Sequence, residues 1–541
     1  MLQNFRPCCA PSKESDDNMS KFLGLDSSTQ SLTANLIDTK TGDSLYRTSI
    51  NYGQELPEYK SPFGFLDNPD ILVKQSDPLL WAAALDRLFR KMQDDGVRLD
   101  DIAGISGSGQ QHGTVYLNRK FRTEGCIPQP GEDLATMLKS RLARPVAPIW
   151  MDSSTFDECR EINKLLGGAE EVRRLTGSAA TERFSGPQIR RFAKLEPDKY
   201  HDTAVIHLVS SFMCSLLLGH SAPIDYGDGS GMNLMNIQKM CWENSMLEAT
   251  APNLAVKLPS LVDSRTIAGQ ISEYFVREYG FRKDTMVTVW SGDNLNSLIG
   301  VGCWNPGTAV ISLGTSDTYF AAMRKGALDP EGYGHVMVNP AGGYASLICF
   351  KNGSLARNKV REQYNMTWQD FDVRAFAGTP VGNHGNMMLP YYTSEITPLV
   401  LNVEKPVCEG RDIFCSFEVV IGTVRALGEA QALTLRLHSP WIGARPKTLR
   451  LTGGASRSAG ICRVMSDVFG AVVERSPVCD SGALGAAMRA ANSQDKISWK
   501  ELTAKFVIKD DSLAVHPIKE NTAIYDEMLI RYKELEQSIV G

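Results

Sequence analysis

Apolar and polar positions change period along the chain in a way that separates strands from helices. Lys21 to Asp38 (KFLGLDSSTQSLTANLID) runs as a short apolar stretch, a small polar turn and a second apolar stretch, which predicts a β-hairpin. Gly307 to Ala322 (GTAVISLGTSDTYFAA) repeats that order, with Leu313-Gly314-Thr315-Ser316-Asp317-Thr318 as the turn. Two phrases of one design, far apart in the chain, predict a divergent internal duplication with a cleft between the halves. Between them, Pro78 to Gln93 carries helical spacing, while Ile102 to Ile105, Ala204 to Leu208 and Met286 to Trp290 read as strands. Farther on, Thr423 to Leu437 predicts a long helix and Thr448 to Leu451 a strand ending in Thr452-Gly453-Gly454-Ala455-Ser456. Ala459 to Phe469 is the helix after it, and Tyr525 to Ile539 a closing amphipathic helix. Thr123 to Asp133 and Val403 to Arg411 read as surface loops. Alternation of this kind is the mark of an α/β fold.

Composition narrows the function classes. The 541 residues are 43% hydrophobic and 22% charged, as in an ordinary globular chain with two or more cores, which excludes disorder, collagen and coiled coil as main architectures. The net charge is −5 and no dense basic block occurs, which argues against nucleic acid as a partner. The 12 cysteines are scattered without a CxxC pair, so reduced thiols in a cytoplasmic protein are expected rather than a disulfide framework or a zinc knuckle. The most apolar segment, His207 to Gly219, is broken by serines and falls short of the ~18 to 20 residues of a membrane span, so it predicts a buried helix and no membrane partner. Residues 1–20 lack the apolar core of a secretory signal and read as a flexible, dispensable tail.

The usual nucleotide motifs fail. There is no GxxxxGK[ST], and in Gly107 to Gly113 (GSGQQHG) His112 stands where the third glycine of GxGxxG belongs. What remains is a set of small-residue turns at strand ends: Asp26-Ser27-Ser28-Thr29, Gly314-Thr315-Ser316 and Gly453-Gly454-Ala455. Such turns present backbone amides that can surround phosphate oxygens, and each is also compatible with an ordinary hairpin or cap. Asp26 suits magnesium held largely through water. Asp293, in Ser291-Gly292-Asp293-Asn294, can accept the proton of an attacking hydroxyl or simply cap the next helix. His112 can meet a sugar hydroxyl or sit as a satisfied core histidine. Trp150 to Thr155 (WMDSST) offers an aromatic wall with a carboxylate, or a capped helix beginning near Ser154.

Read together, these residues resemble the FGGY family of carbohydrate kinases, on its eukaryotic xylulose-phosphorylating branch. The phrases run from Phe22 to about Ala491: GLDSSTQS, SGSGQQHG, IWMDSST, ERFSGPQI, LVSSF, DGSGMNL, SGDN, SLGTSDT, KNGSL, VRALGE, TGGAS and SGALGAAMRA. The resemblance implies a two-domain fold of the actin, Hsp70 and sugar-kinase type, ribonuclease H-like, with ATP and sugar in the interdomain cleft. Residues 1–20 would be the tail, 21–300 the sugar-binding domain with the base near its end, and 301–541 the nucleotide-binding domain with the C-terminal helix. The implied activity is magnesium- and ATP-dependent phosphorylation of D-xylulose at its 5-hydroxyl, by a monomer or homodimer. Another ketose or polyol, such as ribulose or glycerol, or a catalytically silent nucleotide-binding scaffold are the alternatives. Carried over by motif, Asp293 would be the general base, with Gln111, His112, Trp150, Asp152, Arg183 and Asn294 beside the sugar. Gly314, Thr315, Trp368, Gly453, Gly454, Ala455 and Ser458 would hold the nucleotide. Two departures stand out: Ala179 to Thr181, where relatives commonly carry an arginine and an aromatic, and Ser458, where they carry asparagine.

Overall fold

A backbone bond from the Ser28 amide to the Ser31 carbonyl closes a tight turn, and it folds Lys21–Ser27 back on Ser31–Asp38 with Ser27 opposite Leu32. The computed structural model describes residues 20–403, 405–410, 417–475, 480–508 and 511–540, so nearly all of the expected tail lies outside the described residues. Asp43–Asn51 extends the hairpin antiparallel, and Ile102–Gly109 and then Met286–Thr288 join its other side in parallel. In chain order these five strands lie 3-2-1-4-5, with Ile267–Gln270 closing the far edge antiparallel. The second half repeats the plan. Thr308–Leu313, Asp317–Met323 and Tyr344–Phe350 are antiparallel, Thr448–Thr452 and Val472–Arg475 follow in parallel, and the order is again 3-2-1-4-5. His335–Val338 adds an outer edge strand. The duplication read from the two turn phrases is therefore one topology used twice.

Each sheet builds its own core. Pro78–Asp94 starts at Asp77, whose carboxylate accepts the Leu79 amide at 2.9 Å, and buries Leu80, Trp81, Leu85, Leu88, Phe89 and Met92 on one face. In the second half Phe417–Leu437 and Ala459–Phe469 cover the sheet, and Tyr525, Met528 and Tyr532 of Lys519–Gln537 close the same core. Val209–Leu218 is buried at every position, and no helix among the described residues is long and apolar enough to cross a membrane.

Two helices cross between the sheets, Asp293–Gly300 and Ser481–Asp495. Glycine makes the crossing possible: a Cβ at Gly485 would lie 1.9 Å from the Asn296 carbonyl oxygen, and one at Gly24 1.8 Å from that of Ala483. Leu484, Ala487 and Met488 pack with Phe22, Ile37 and Ile299, and Leu502 and Phe506 of Trp499–Phe506 join them. A division at residue 300 thus gives to the second unit two helices that pack on the first sheet.

Local departures have local causes. The strand expected over Met286 to Trp290 stops at Thr288, and Trp290 covers Gly107, where a Cβ would meet its ring at 2.2 Å. Thr203–Leu208 pairs with Thr114–Asn118 in a separate ribbon rather than in the main sheet. Within the loop expected over Val403 to Arg411, Cys408–Glu409 pairs with Met387–Met388; Glu404 and Arg411 lie outside the described residues.

Candidate active site

The first-half face of the cleft is built where strands end. After Ile102–Gly109 the backbone turns through Gln110 and Gln111 to His112, held at φ 70°. The His112 Nδ1 lies 2.7 Å from the Gly231 carbonyl, which can only accept, so Nδ1 carries the proton and Nε2 is left as an acceptor. Burial, and then the Arg183 charge, hold its pKa down at about 3, so the ring is neutral. It stacks on Phe184 at 4.2 Å, and the other side of Phe184 meets His335 of the second half at 5.0 Å. Arg183 donates to the His335 Nε2 at 3.3 Å, so it bridges the halves.

Asp293 is the first residue of its helix. Gly292 occupies the cap position, so the capping alternative for Asp293 is not formed. One carboxylate oxygen accepts the Asn294 amide at 2.7 Å. The Asn294 side-chain amide donates to the Gln111 Oε1 at 2.7 Å, and the Gln111 Nε2 reaches the Met337 sulfur on the second sheet at 3.3 Å. Burial, and then the Asp26 charge, raise the Asp293 pKa to about 7. Trp150 is exposed, donates its indole N–H to the Thr29 hydroxyl at 2.8 Å, and lines a pocket of about 250 Å³ with Met151, Ser153, Thr181 and Arg183. Asp152, expected at the sugar, lines the same pocket and is largely buried; Gln188, Ser154 and the Lys74 amide donate to its oxygens. It anchors the loop that carries Trp150.

The two hairpin turns and the late glycine loop are the segments expected to meet phosphate. Asp26 ends the first strand, with Ser108 donating to one oxygen at 2.5 Å and Ser28 to the other at 2.6 Å. Burial raises its pKa, with Asp480 adding to the effect. A Cβ at Gly482, in the first turn of Ser481–Asp495, would lie 2.9 Å from this carboxylate. Opposite, the Gly314 carbonyl is pinned by the Ser354 amide at 2.9 Å and by Arg357 at 3.3 Å. Arg357 pairs with buried Asp317 through two bonds near 3 Å, leaving Thr315 exposed at the tip. Gly453 has φ 83°, and a Cβ there would strike the Leu313 carbonyl at 2.5 Å, whereas Gly454 faces open space. Ser458, expected at the nucleotide, caps Ala459–Phe469 by accepting the Ile461 amide at 3.2 Å, with Asp372 against its hydroxyl. Trp368 is exposed, packed edge-on against Phe371 at 5.5 Å with the Arg361 guanidinium 5.1 Å from its ring.

Two residues not singled out from the sequence join this site. Asp228 is buried beside Asp293 and bonded by Ser210 and Gln111, and burial pushes its pKa well up. Its signal was present in the DGSGMNL phrase, as an acid among small residues. His335 carried none, because its place follows from how the second sheet meets the first.

Among the described residues no group of three or more His, Cys, Asp or Glu is arranged to hold a metal ion. The strand ends instead gather buried carboxylates, small-residue turns and a neutral histidine acceptor. Two sheets of one 3-2-1-4-5 topology, joined by the crossing helices, have the architecture of the two-domain actin and sugar-kinase fold. The profile of the FGGY family of carbohydrate kinases, N-terminal domain, matches residues 131–300, and that of its C-terminal domain residues 417–493. The xylulose kinase of Rattus norvegicus is 37% identical over 528 residues, covering 96% of this chain and 97% of the rat protein. Xylulose kinase 2 of Arabidopsis thaliana is 38% identical over 490 residues, 87% of each chain. The crystal structure of the xylulose kinase from Rhodospirillum rubrum superposes with a TM-score of 0.80 at 20% identity, covering 96% of this chain and 98% of that one. The chain belongs to the FGGY family of carbohydrate kinases.

Proposed function

We propose that this kinase transfers the γ-phosphoryl group of ATP to the 5-hydroxyl of D-xylulose. The observation that carries the substrate is the likeness to xylulose kinases of animal and plant along nearly the whole chain, since ketose selectivity depends on many contacts at once. Asp293 carries the chemistry. A carboxylate that titrates near 7 is half ionised at neutral pH and basic enough to take a proton as the hydroxyl attacks. In the step, the sugar oxygen forms its bond to the γ-phosphorus, its proton passes to Asp293, the bond from that phosphorus to the bridging oxygen breaks, and ADP leaves.

The other residues align the reactants, as phosphoryl transfer chiefly requires. His112 accepts from a sugar hydroxyl, Arg183 and Asn294 add donors, and Trp150 covers the open side. Gly314, Thr315 and the Gly453 to Ala455 loop give amides to the phosphates, and Trp368 flanks the base. The Asp26 carboxylate has lone pairs beyond the two serine bonds and stands beside further acids, so it fits a hydrated magnesium ion; bound there with ATP, the ion would neutralise phosphate charge. Asp26 would hold the ion through its water. We take the cytoplasm as the compartment, in keeping with the free cysteines among the described residues, Cys126 and Cys462 included. ADP release measured over D-xylulose, D-ribulose and glycerol tests the reading: D-xylulose should give the highest kcat/KM, and a higher value for either of the others would overturn it.

A further inference from the structure

His335–Val338 is the edge strand of the second sheet, yet it is fastened to the first half. The Val336 amide donates to the Gly177 carbonyl at 3.0 Å and the Val338 amide to the Ser230 hydroxyl at 3.0 Å, while both valines pack with Met235 and Ile237. Strand alternation puts His335 and Met337 on the opposite face, where they meet Arg183 and Gln111. Arg183 forms no ion pair among the described residues: its guanidinium donates to the His335 Nε2 at 3.3 Å, with the Cys349 thiol also against it. Burial, then the Arg183 charge and then His112, hold the His335 pKa well below the usual histidine range, so its ring is uncharged. Arg183 can only donate, so Nε2 accepts and Nδ1 carries the proton. That Nδ1 is buried and has no hydrogen-bond partner among the described residues. A phenylalanine would pack against Phe184 equally well and bury no orphaned donor, so packing does not account for a histidine here; the acceptor at Nε2 does.

We propose that His335 is a positioning residue for the ketose, an acceptor supplied by the second half that aims the Arg183 guanidinium at the sugar. The inference rests on the reading of Arg183 as a sugar-binding residue. The kind of acceptor matters. A carboxylate in this place would aim Arg183 and also cancel its charge, whereas an imidazole takes one N–H and leaves the other donors and the whole positive charge to the ketose oxygens. Donor and acceptor come from different halves, so Arg183 is aimed only while the edge strand is seated on Gly177 and Ser230. Sugar recognition therefore includes a residue of the half that carries the Gly314 and Gly453 turns, and His335 acts through Arg183 rather than on the sugar.

The test is ADP release by the full-length protein, with D-xylulose and ATP varied in turn. His335→Phe keeps a ring against Phe184 and removes both nitrogens; it should raise KM for the ketose about tenfold and leave KM for ATP unchanged. His335→Gln restores an uncharged acceptor and should bring the ketose KM back to within about threefold of its starting value. In Arg183→Ala, the further change His335→Phe should add nothing, because the group it aims is gone. A loss through packing alone would add in full. An unchanged ketose KM in His335→Phe, no rescue by His335→Gln, or additive losses in the double variant would each overturn the proposal while leaving Arg183 at the sugar. If Arg183→Ala itself leaves the ketose KM unchanged, the sugar-site reading fails and the proposal with it. Should His335→Phe not fold, the smaller His335→Leu carries the same expectation.

Discussion

Lowering the pH through 7 should switch the reaction off by filling its base. Burial is the first cause of the high Asp293 pKa, about 7, and repulsion from Asp26 the second. If the ionised carboxylate takes the sugar proton, kcat/KM for the ketose follows its ionised fraction before the sugar binds, about nine-tenths at pH 8, a half at pH 7 and a tenth at pH 6. The rate therefore falls about tenfold across that window. Asp26→Asn removes the second cause and leaves the first, so the midpoint moves down while staying above the ordinary carboxylate value of 3.8. Stability carries the opposite sign. A carboxyl whose folded pKa is raised contributes stability that is complete below pH 3.8 and lost as the pH rises through about 7. The assay is ADP release at ketose well below its KM, with Asp293→Asn measured over the same range so that the ionisation of ATP divides out. A corrected kcat/KM that is flat between pH 6 and 8, or a midpoint that rises in Asp26→Asn, would refute the reasoning.

Other consequences are as concrete. His112→Ala and Arg183→Ala should each raise KM for the ketose about tenfold to a hundredfold, from the ~1.5 to 3 kcal/mol of a hydrogen bond to a charged or buried partner, and leave KM for ATP unchanged; the reverse pattern would exchange the two sides of the cleft. Gly485→Val drives a side chain into the Asn296 carbonyl, 1.9 Å from the Cβ position, and should cost at least ~1 to 3 kcal/mol in a thermal melt. An unchanged melting temperature would mean that the helices do not cross in contact. Because Arg183 to His335 and Gln111 to Met337 are contacts between halves, D-xylulose with ADP should lower the radius of gyration in small-angle scattering; identical profiles with and without both ligands would sink closure as the aligning step.

Much of the architecture was legible because the duplication sits in local sequence. Asp26-Ser27-Ser28-Thr29 and Leu313-Gly314-Thr315-Ser316 both join strand one to strand two of a 3-2-1-4-5 sheet, and turn chemistry alone marks them. Asp293 was legible as an acid after an apolar strand, though its two readings were separated only by the backbone, which puts Gly292 at the cap. What escaped was non-local. Ser481–Asp495 returns to the first sheet through small residues whose partners lie hundreds of positions away, and no periodicity announces that. Asp152 and Ser458 have the residue types of ligand contacts, and the structure adds what the sequence could not show, that each also holds a loop or a helix end. His335 reaches the site only because the edge strand of the second sheet packs against Tyr226–Ser230 and sets its ring on Phe184 and Arg183.

The central claim is that a ketose is phosphorylated in this cleft with Asp293 as the base, and product analysis tests it most directly. Incubated with ATP, magnesium and D-xylulose, the protein should form D-xylulose 5-phosphate and ADP in equal amounts by ³¹P NMR. Asp293→Ala should lose ~10² to 10⁴ in rate while still binding both substrates in calorimetry. Phosphate on another hydroxyl, no product from D-xylulose, or near-normal turnover in Asp293→Ala would contradict the account.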